Sequence, residues 1–192
     1  MNMSPAAAWI NATCAGFDCY WLAQMHRLSH TRHGKFFVKL SLLFDLIGRN
    51  GILFILFGGI LAAFSNTRRL GVSILVSLGL GALITNLIIK PLVRRPRPYK
   101  MGYDHWWKAV GCHQELDASF PSGHTTAAMS LMSAMFFVSG WSYGWVLLLF
   151  ALVMGLTRCY LMVHYPSDIL GAFVVGLVTG WLSSVILVIT WK

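Results

Sequence analysis

The chain has 192 residues, 57% of them hydrophobic and only 11% charged, where a soluble domain carries about 25% charged residues. That deficit excludes a water-exposed surface over most of the chain and places it in the membrane class, with length for one domain of five or six crossings at roughly 20 residues each. The formal charge of +9, from 15 Lys and Arg against six acids, does not indicate nucleic-acid binding, because the cations lie between apolar spans; anionic headgroups and phosphorylated substrates suit them better, and the rest read as anchors of helix ends.

Residues 17–30 and 36–47 mix apolar and charged positions in a helix-compatible way. They predict amphipathic helices lying at the interface within an amino-terminal region of residues 1–49, with a sixth, poorly hydrophobic crossing as the alternative. No basic segment followed by a clean apolar run opens the chain, so no signal peptide is expected. Cys14, Cys19, Cys112 and Cys159 form no CxxC pair and are expected as free thiols; a Cys14–Cys19 bridge would need an oxidising compartment.

The transmembrane core is expected over residues 50–192. Residues 50–67 are uncharged and close at Arg68-Arg69; residues 70–89 form a second uncharged span ending at Lys90. A polar segment then runs to about Ser119. Pro91, Pro96 and Pro98 bar a continuous helix there, and Tyr99, Tyr103, Trp106 and Trp107 are the aromatic content of a headgroup interface, with both tryptophans expected as anchors. Residues 125–157 are uncharged but too long for one crossing, so residues 139–144 are expected as the turn between two helices. A short polar stretch around His164 and Asp168 precedes the last span, residues 169–191.

This order places Lys90, Gly123, Arg158 and Asp168 on one side of the bilayer. The side itself is left open. Lys90, Arg94, Arg95, Arg97, Lys100, Lys108 and Arg158 lie with the motifs, and Arg68, Arg69 and Lys192 lie opposite. Discounting Lys90, Arg97 and Arg158 as substrate ligands leaves four against three.

Charged side chains at a membrane boundary need a partner or a task. In Pro121-Ser122-Gly123-His124, Ser122 suits an N-cap, and the helix start offers free N–H groups and the positive end of a dipole to an anion. His124 is placed there to give a proton to a leaving oxygen; an ordinary capped helix start with an interfacial histidine is the plain alternative. Asp168 follows His164 by four residues with Pro166 between. In the first turn of a helix it can fold back on the imidazole, fix its tautomer and free the other nitrogen to attack. Arg158, Lys90 and Arg97 offer a fork and a point charge to phosphate oxygens, against a role as snorkelling anchors. Arg94 and Arg95 read as anchors or headgroup contacts outside the site. The histidines lack ligand grouping and no carboxylate cluster is evident, so neither a metal nor another cofactor is expected.

Lys90-x6-Arg97-Pro98, Pro121-Ser122-Gly123-His124 and Thr157-Arg158-x5-His164-x3-Asp168 together resemble the tripartite signature of the type 2 phosphatidic acid phosphatases, a superfamily that includes glucose-6-phosphatase and the vanadium haloperoxidases. The third motif usually opens with Ser; here Thr157 keeps the hydroxyl. The resemblance implies an all-α polytopic helix bundle and a single domain with its site within residues 90–168. It implies a metal-independent lipid phosphatase with His164 as the nucleophile that becomes a phosphohistidine. Asp168 would orient it, and His124 would protonate the leaving oxygen and then activate water. Lys90, Arg97 and Arg158, helped by Ser122 and the Gly123 N–H, would bind phosphate.

Small bacterial members that act on undecaprenyl diphosphate, phosphatidylglycerophosphate or phosphatidic acid are the nearest type, undecaprenyl diphosphate first. They imply a multi-pass protein of the bacterial inner membrane with an extracytoplasmic site. A lipid-to-lipid phosphotransferase would use the same residues. A non-catalytic lipid-binding or transport protein is the remaining alternative, and the absence of ionisable residues in 125–157 and 169–191 leaves such a path little to be built from.

Overall fold

The computed structural model describes residues 3–140 and 144–190. Their regular elements are helical: α1 (Pro5–Ser29), α2 (Gly34–Gly48), α3 (Ile52–Ala63), α4 (Arg68–Ala82), α5 (Lys90–Val93), α6 (Asp104–Val110), α7 (Gly123–Ser139), α8 (Gly144–Tyr160) and α9 (Pro166–Thr190). Among the described residues three stretches are long and apolar enough to cross a membrane: Gly34–Ala63, Arg68–Met101 and Pro166–Thr190. α7 and α8, of 17 residues each, complete the apolar bundle.

The central helix is α7, against which α9, α4 and α8 pack. Lipid tails are as apolar as leucine, so helices in a membrane gain most from close approach and interhelical hydrogen bonds. Small residues supply both. Ser73 and Ser183 hydroxyls meet at 3.0 Å, Ser130 and Thr179 at 2.9 Å, and Ser133 donates to the Gly176 carbonyl at 2.6 Å. At Gly176 and Gly180 a side chain would strike α7 at Met129 and Ser133.

The amino-terminal region forms two helices, α1 and α2, and α2 is held against the bundle. It packs on α8 and, through a break at Asn50 and Gly51, both at positive φ, continues into α3 as part of one 30-residue apolar stretch. Its polar positions Ser41 and Asp45 are buried, while Lys35 and Lys39 stay exposed, so one polar side of the helix faces the protein and its lysines face outward. α1 starts at Pro5, capped by Ser4, and packs on α8 and α9. All four cysteines are free. The turn expected at residues 139–144 lies partly outside the described residues, with α7 ending and α8 beginning on either side.

Before Lys90 the α-helical ladder slips. Residues Leu83–Ile89 form a π-helical stretch in which the Lys90 N–H bonds the Thr85 carbonyl. Such bulges recur at functional sites, and Pro91, which has no N–H, follows directly.

Candidate active site

The ends of α7, α8 and α9 and the chain around Lys90 and Arg97 converge on a single cluster. His164, in the turn between α8 and α9, is 0% exposed. Arg97 reaches it from the segment after α5: Nη1 lies 3.1 Å from His164 Nε2 and donates to the Val163 carbonyl at 3.0 Å. A guanidinium only donates, so Nε2 is the acceptor and the ring proton sits on Nδ1. There Asp168 Oδ2 waits at 3.4 Å, short of hydrogen-bond geometry. The same oxygen accepts the Tyr165 N–H at 2.9 Å. Asp168 is in the first turn of α9, as its spacing from His164 predicts. Burial first, then Arg97, holds the His164 pKa well below its ordinary value, which keeps the imidazole neutral and Nε2 unprotonated, its lone pair facing Arg97.

The other predicted residues join the cluster through two acids. Asp117 Oδ2 meets Lys90 Nζ at 2.5 Å and its Oδ1 meets Arg97 Nη2 at 2.6 Å. Glu115 meets Arg97 at 2.6 Å and bonds Arg158, which also bonds Asp45. Glu115 lies 3.8 Å from His164 Nε2 and 4.0 Å from His124 Nδ1. Burial pushes both loop carboxyls up, but Arg158 and Arg97 outweigh it at Glu115, and Lys90 and Arg97 at Asp117, so each is held at about 2.

His124 enters at the start of α7, with Nε2 3.3 Å from the Asp45 carbonyl. The bare Gly48 Cα makes room for its ring, which a side chain there would strike. Ser122 occupies the N-cap position, but its hydroxyl does not cap the backbone; it accepts from Thr125 at 3.0 Å. A Cβ on Gly123 would sit 3.5 Å from Lys90 Nζ, which places the α7 N-terminus beside that ammonium. The Thr157 hydroxyl is turned onto its own helix, donating to the Met154 carbonyl at 2.7 Å.

Two expectations are overturned. Arg95 is no anchor: it is 1% exposed and pairs with Asp168 at 2.6 Å and Asp18 at 2.7 Å, whereas its neighbour Arg94 is exposed. Carboxylates do gather beside a histidine: Asp45, Glu115 and His124 offer ligand atoms all within 4.8 Å of one another. Chain separation hid this group. Both carboxylates are bonded to the Arg158 guanidinium, whose charge opposes a cation among them.

Beside the cluster lies a cavity of about 840 Å³. Lys90, Asp117, Gly123 and His124 line its polar part, and Ile55, Leu75, Leu78, Gly79 and Ala82 its apolar part. Trp106 and Trp107 are outside this lining and pack on protein, Trp106 donating to the Tyr160 carbonyl at 3.0 Å and Trp107 stacking on Tyr99.

The family model of the PAP2 superfamily matches residues 70–191, which hold every predicted site residue. The chain belongs to the PAP2 superfamily. Among curated PAP2-related proteins, undecaprenyl-diphosphatase BcrC of Bacillus subtilis is 36% identical over 104 residues, covering 54% of this chain and 51% of the relative. The chain thus spans about half the length of the curated relatives it matches. Among solved structures, Aquifex aeolicus LpxE superposes with a TM-score of 0.65 at 25% identity, over 84% of this chain and 93% of that one. The transmembrane PAP2-type phosphatidylglycerolphosphate phosphatase of Bacillus subtilis superposes with a TM-score of 0.57 at 21% identity, over 94% and 97%; it supports the fold alone.

Proposed function

We propose that the chain is a metal-independent membrane lipid phosphatase that removes the terminal phosphate of a lipid phosphate or diphosphate through a phosphohistidine on His164. One observation carries the reading: His164 Nε2 faces Arg97 at 3.1 Å while Nδ1 faces Asp168, so the unprotonated nitrogen points toward the cations that would hold phosphate. Nε2 attacks phosphorus and the bond to the leaving oxygen breaks. The phosphorylated imidazole is cationic and is stabilised by Asp168. His124 gives the leaving oxygen its proton, then takes one from water, whose oxygen displaces Nε2 and releases phosphate. Lys90, Arg97 and Arg158 neutralise the equatorial oxygens through the trigonal-bipyramidal transition state, with the Ser122-Gly123 turn and the α7 N-terminus beside them. The apolar part of the cavity suits a lipid chain whose phosphate meets Lys90.

The likeness to BcrC supports undecaprenyl diphosphate as first substrate. We place the site at the extracytoplasmic face of a bacterial inner membrane as part of the same proposal. The test is phosphate release by purified full chain in detergent with EDTA, offered undecaprenyl diphosphate, phosphatidylglycerophosphate and phosphatidic acid. Chelator-resistant release, fastest from undecaprenyl diphosphate, is expected. No release from any of the three, or release lost to EDTA and restored by a divalent ion at Asp45, Glu115 and His124, would overturn the reading.

In this account Glu115 and Asp117 compete with phosphate for the same cations. Both stay ionised down to about pH 2, so the competition does not fade near neutrality. Asp117 has a half-exposed side chain, and its pairs are worth about 1 kcal/mol after screening. Asp117→Asn is therefore expected to lower the inhibition constant for orthovanadate about three- to sixfold. An unchanged or raised constant would remove Asp117 from this competition.

A further inference from the structure

The segment that delivers Arg97 to His164 also carries Arg95, which holds the same turn from a second point. Each guanidinium nitrogen of Arg95 donates. Nε donates to Asn11 Oδ1 at 2.7 Å and Nη2 to Asp18 Oδ2 at 2.7 Å. Nη1 donates to Ser167 Oγ at 2.8 Å and to Asp168 Oδ1 at 2.6 Å. The guanidinium lies 4.0 Å above the Tyr165 ring. Asp18 in turn accepts the Ser167 N–H at 2.9 Å and its hydroxyl at 2.6 Å. Asp18, Arg95 and Asp168 are each 2% exposed or less, and Asn11 and Asp18 lie on α1, outside the residues matched by the family model.

Two physical consequences follow. Arg95 pulls on Oδ1 of Asp168 while the Tyr165 N–H holds Oδ2, so the carboxylate cannot rotate and Oδ2 is kept toward His164 Nδ1. Arg95 alone would neutralise Asp168 and leave nothing to stabilise a cationic imidazole. With Asp18 the three charges sum to one negative, and that charge is shared with His164. We propose that Arg95 and Asp18 are positioning residues for the nucleophile, acting through Asp168, and that α1 is thereby part of the catalytic apparatus. This rests on the phosphohistidine reading.

A buried ion pair can also serve stability alone, so the test is a double-mutant cycle. The full chain turns over undecaprenyl diphosphate in detergent micelles, with His164→Ala run alongside. Arg95→Met is expected to lower kcat about 30- to 100-fold, the scale for outer partners of a histidine, with KM within about threefold. Asp18→Asn is expected to lose about tenfold on the same scale. In the Asp168→Asn background either change should cost less than about threefold more. Losses that multiply in that background, or an Arg95→Met enzyme within about threefold of wild type, would overturn the proposal. Where Arg95→Met yields no folded protein, Arg95→Lys keeps the charge without the fork. It is expected to lose about tenfold in kcat, and a kcat within about twofold of wild type overturns the proposal. Full turnover in His164→Ala would instead sink the nucleophile assignment beneath it.

Discussion

His164→Ala is expected to lower kcat by about 10⁴-fold or more while leaving the fold and lipid binding intact, the scale on which loss of a nucleophile acts in a preorganised site. The methyl group fills less space and leaves Arg97 its bonds to the Val163 and Ala118 carbonyls and to Asp117, so the cationic cluster survives. Asp168→Asn keeps shape and removes charge. It leaves an amide facing Nδ1, where a neutral imidazole needs an acceptor, and Arg95 loses a charged partner; about 10³- to 10⁴-fold is expected, by analogy with the acid of a serine triad. Phosphate release checks both. His164→Ala turnover above about a tenth of wild type would end the nucleophile assignment.

Arg158→Leu is expected to damage stability and catalysis together. The guanidinium is 0% exposed and bonds the carboxylates of Asp45 and Glu115. Without it two acids face each other beside His124, Asp45 keeping only Arg49 and Glu115 only Arg97, so the cost stays below the roughly 3–5 kcal/mol of a fully stranded buried charge. Thermal unfolding in detergent should shift down accordingly. Turnover should fall about 10²- to 10³-fold, as for removal of one oxyanion donor. The two losses separate in Arg158→Leu/Asp45→Asn/Glu115→Gln, which should recover much of the stability and none of the turnover. Recovered turnover would show that Arg158 serves only to neutralise its neighbours.

The three motifs, their order and their meeting at one end of the bundle were legible because their signals are local. His164 and Asp168 share one turn, and Ser122, Gly123 and His124 one helix start. The partners that complete the site were not legible, because each reaches across the chain: Asp18 to Arg95 over 77 residues, Asp45 to Arg158 over 113, Glu115 to Arg158 over 43. One signal did exist. An acid within an apolar helix must find a cation, and Asp18 and Asp45 are two of only six acids in a chain with 15 Lys and Arg. Arg95 was hidden by its neighbour: the left-handed turn at Arg94 leaves one arginine outside and sends the next one in, which composition does not reveal. The pairing of Asp45 on α2 with Arg158 was hidden for a related reason, since a helix with a polar face looks the same whether that face meets headgroups or a buried arginine.

The most direct test of the central claim is to trap the covalent intermediate. In undecaprenyl diphosphate the leaving group is a phosphate monoester that departs with little proton help, so His124→Ala should slow water attack more than phosphoryl transfer. Rapid quench of His124→Ala with substrate labelled in the terminal phosphate should then leave an acid-labile, base-stable label, mapped by peptide mass to His164 and absent when His164→Ala is added. Continued turnover with no protein-bound phosphate, or label on a residue other than His164, would contradict the account.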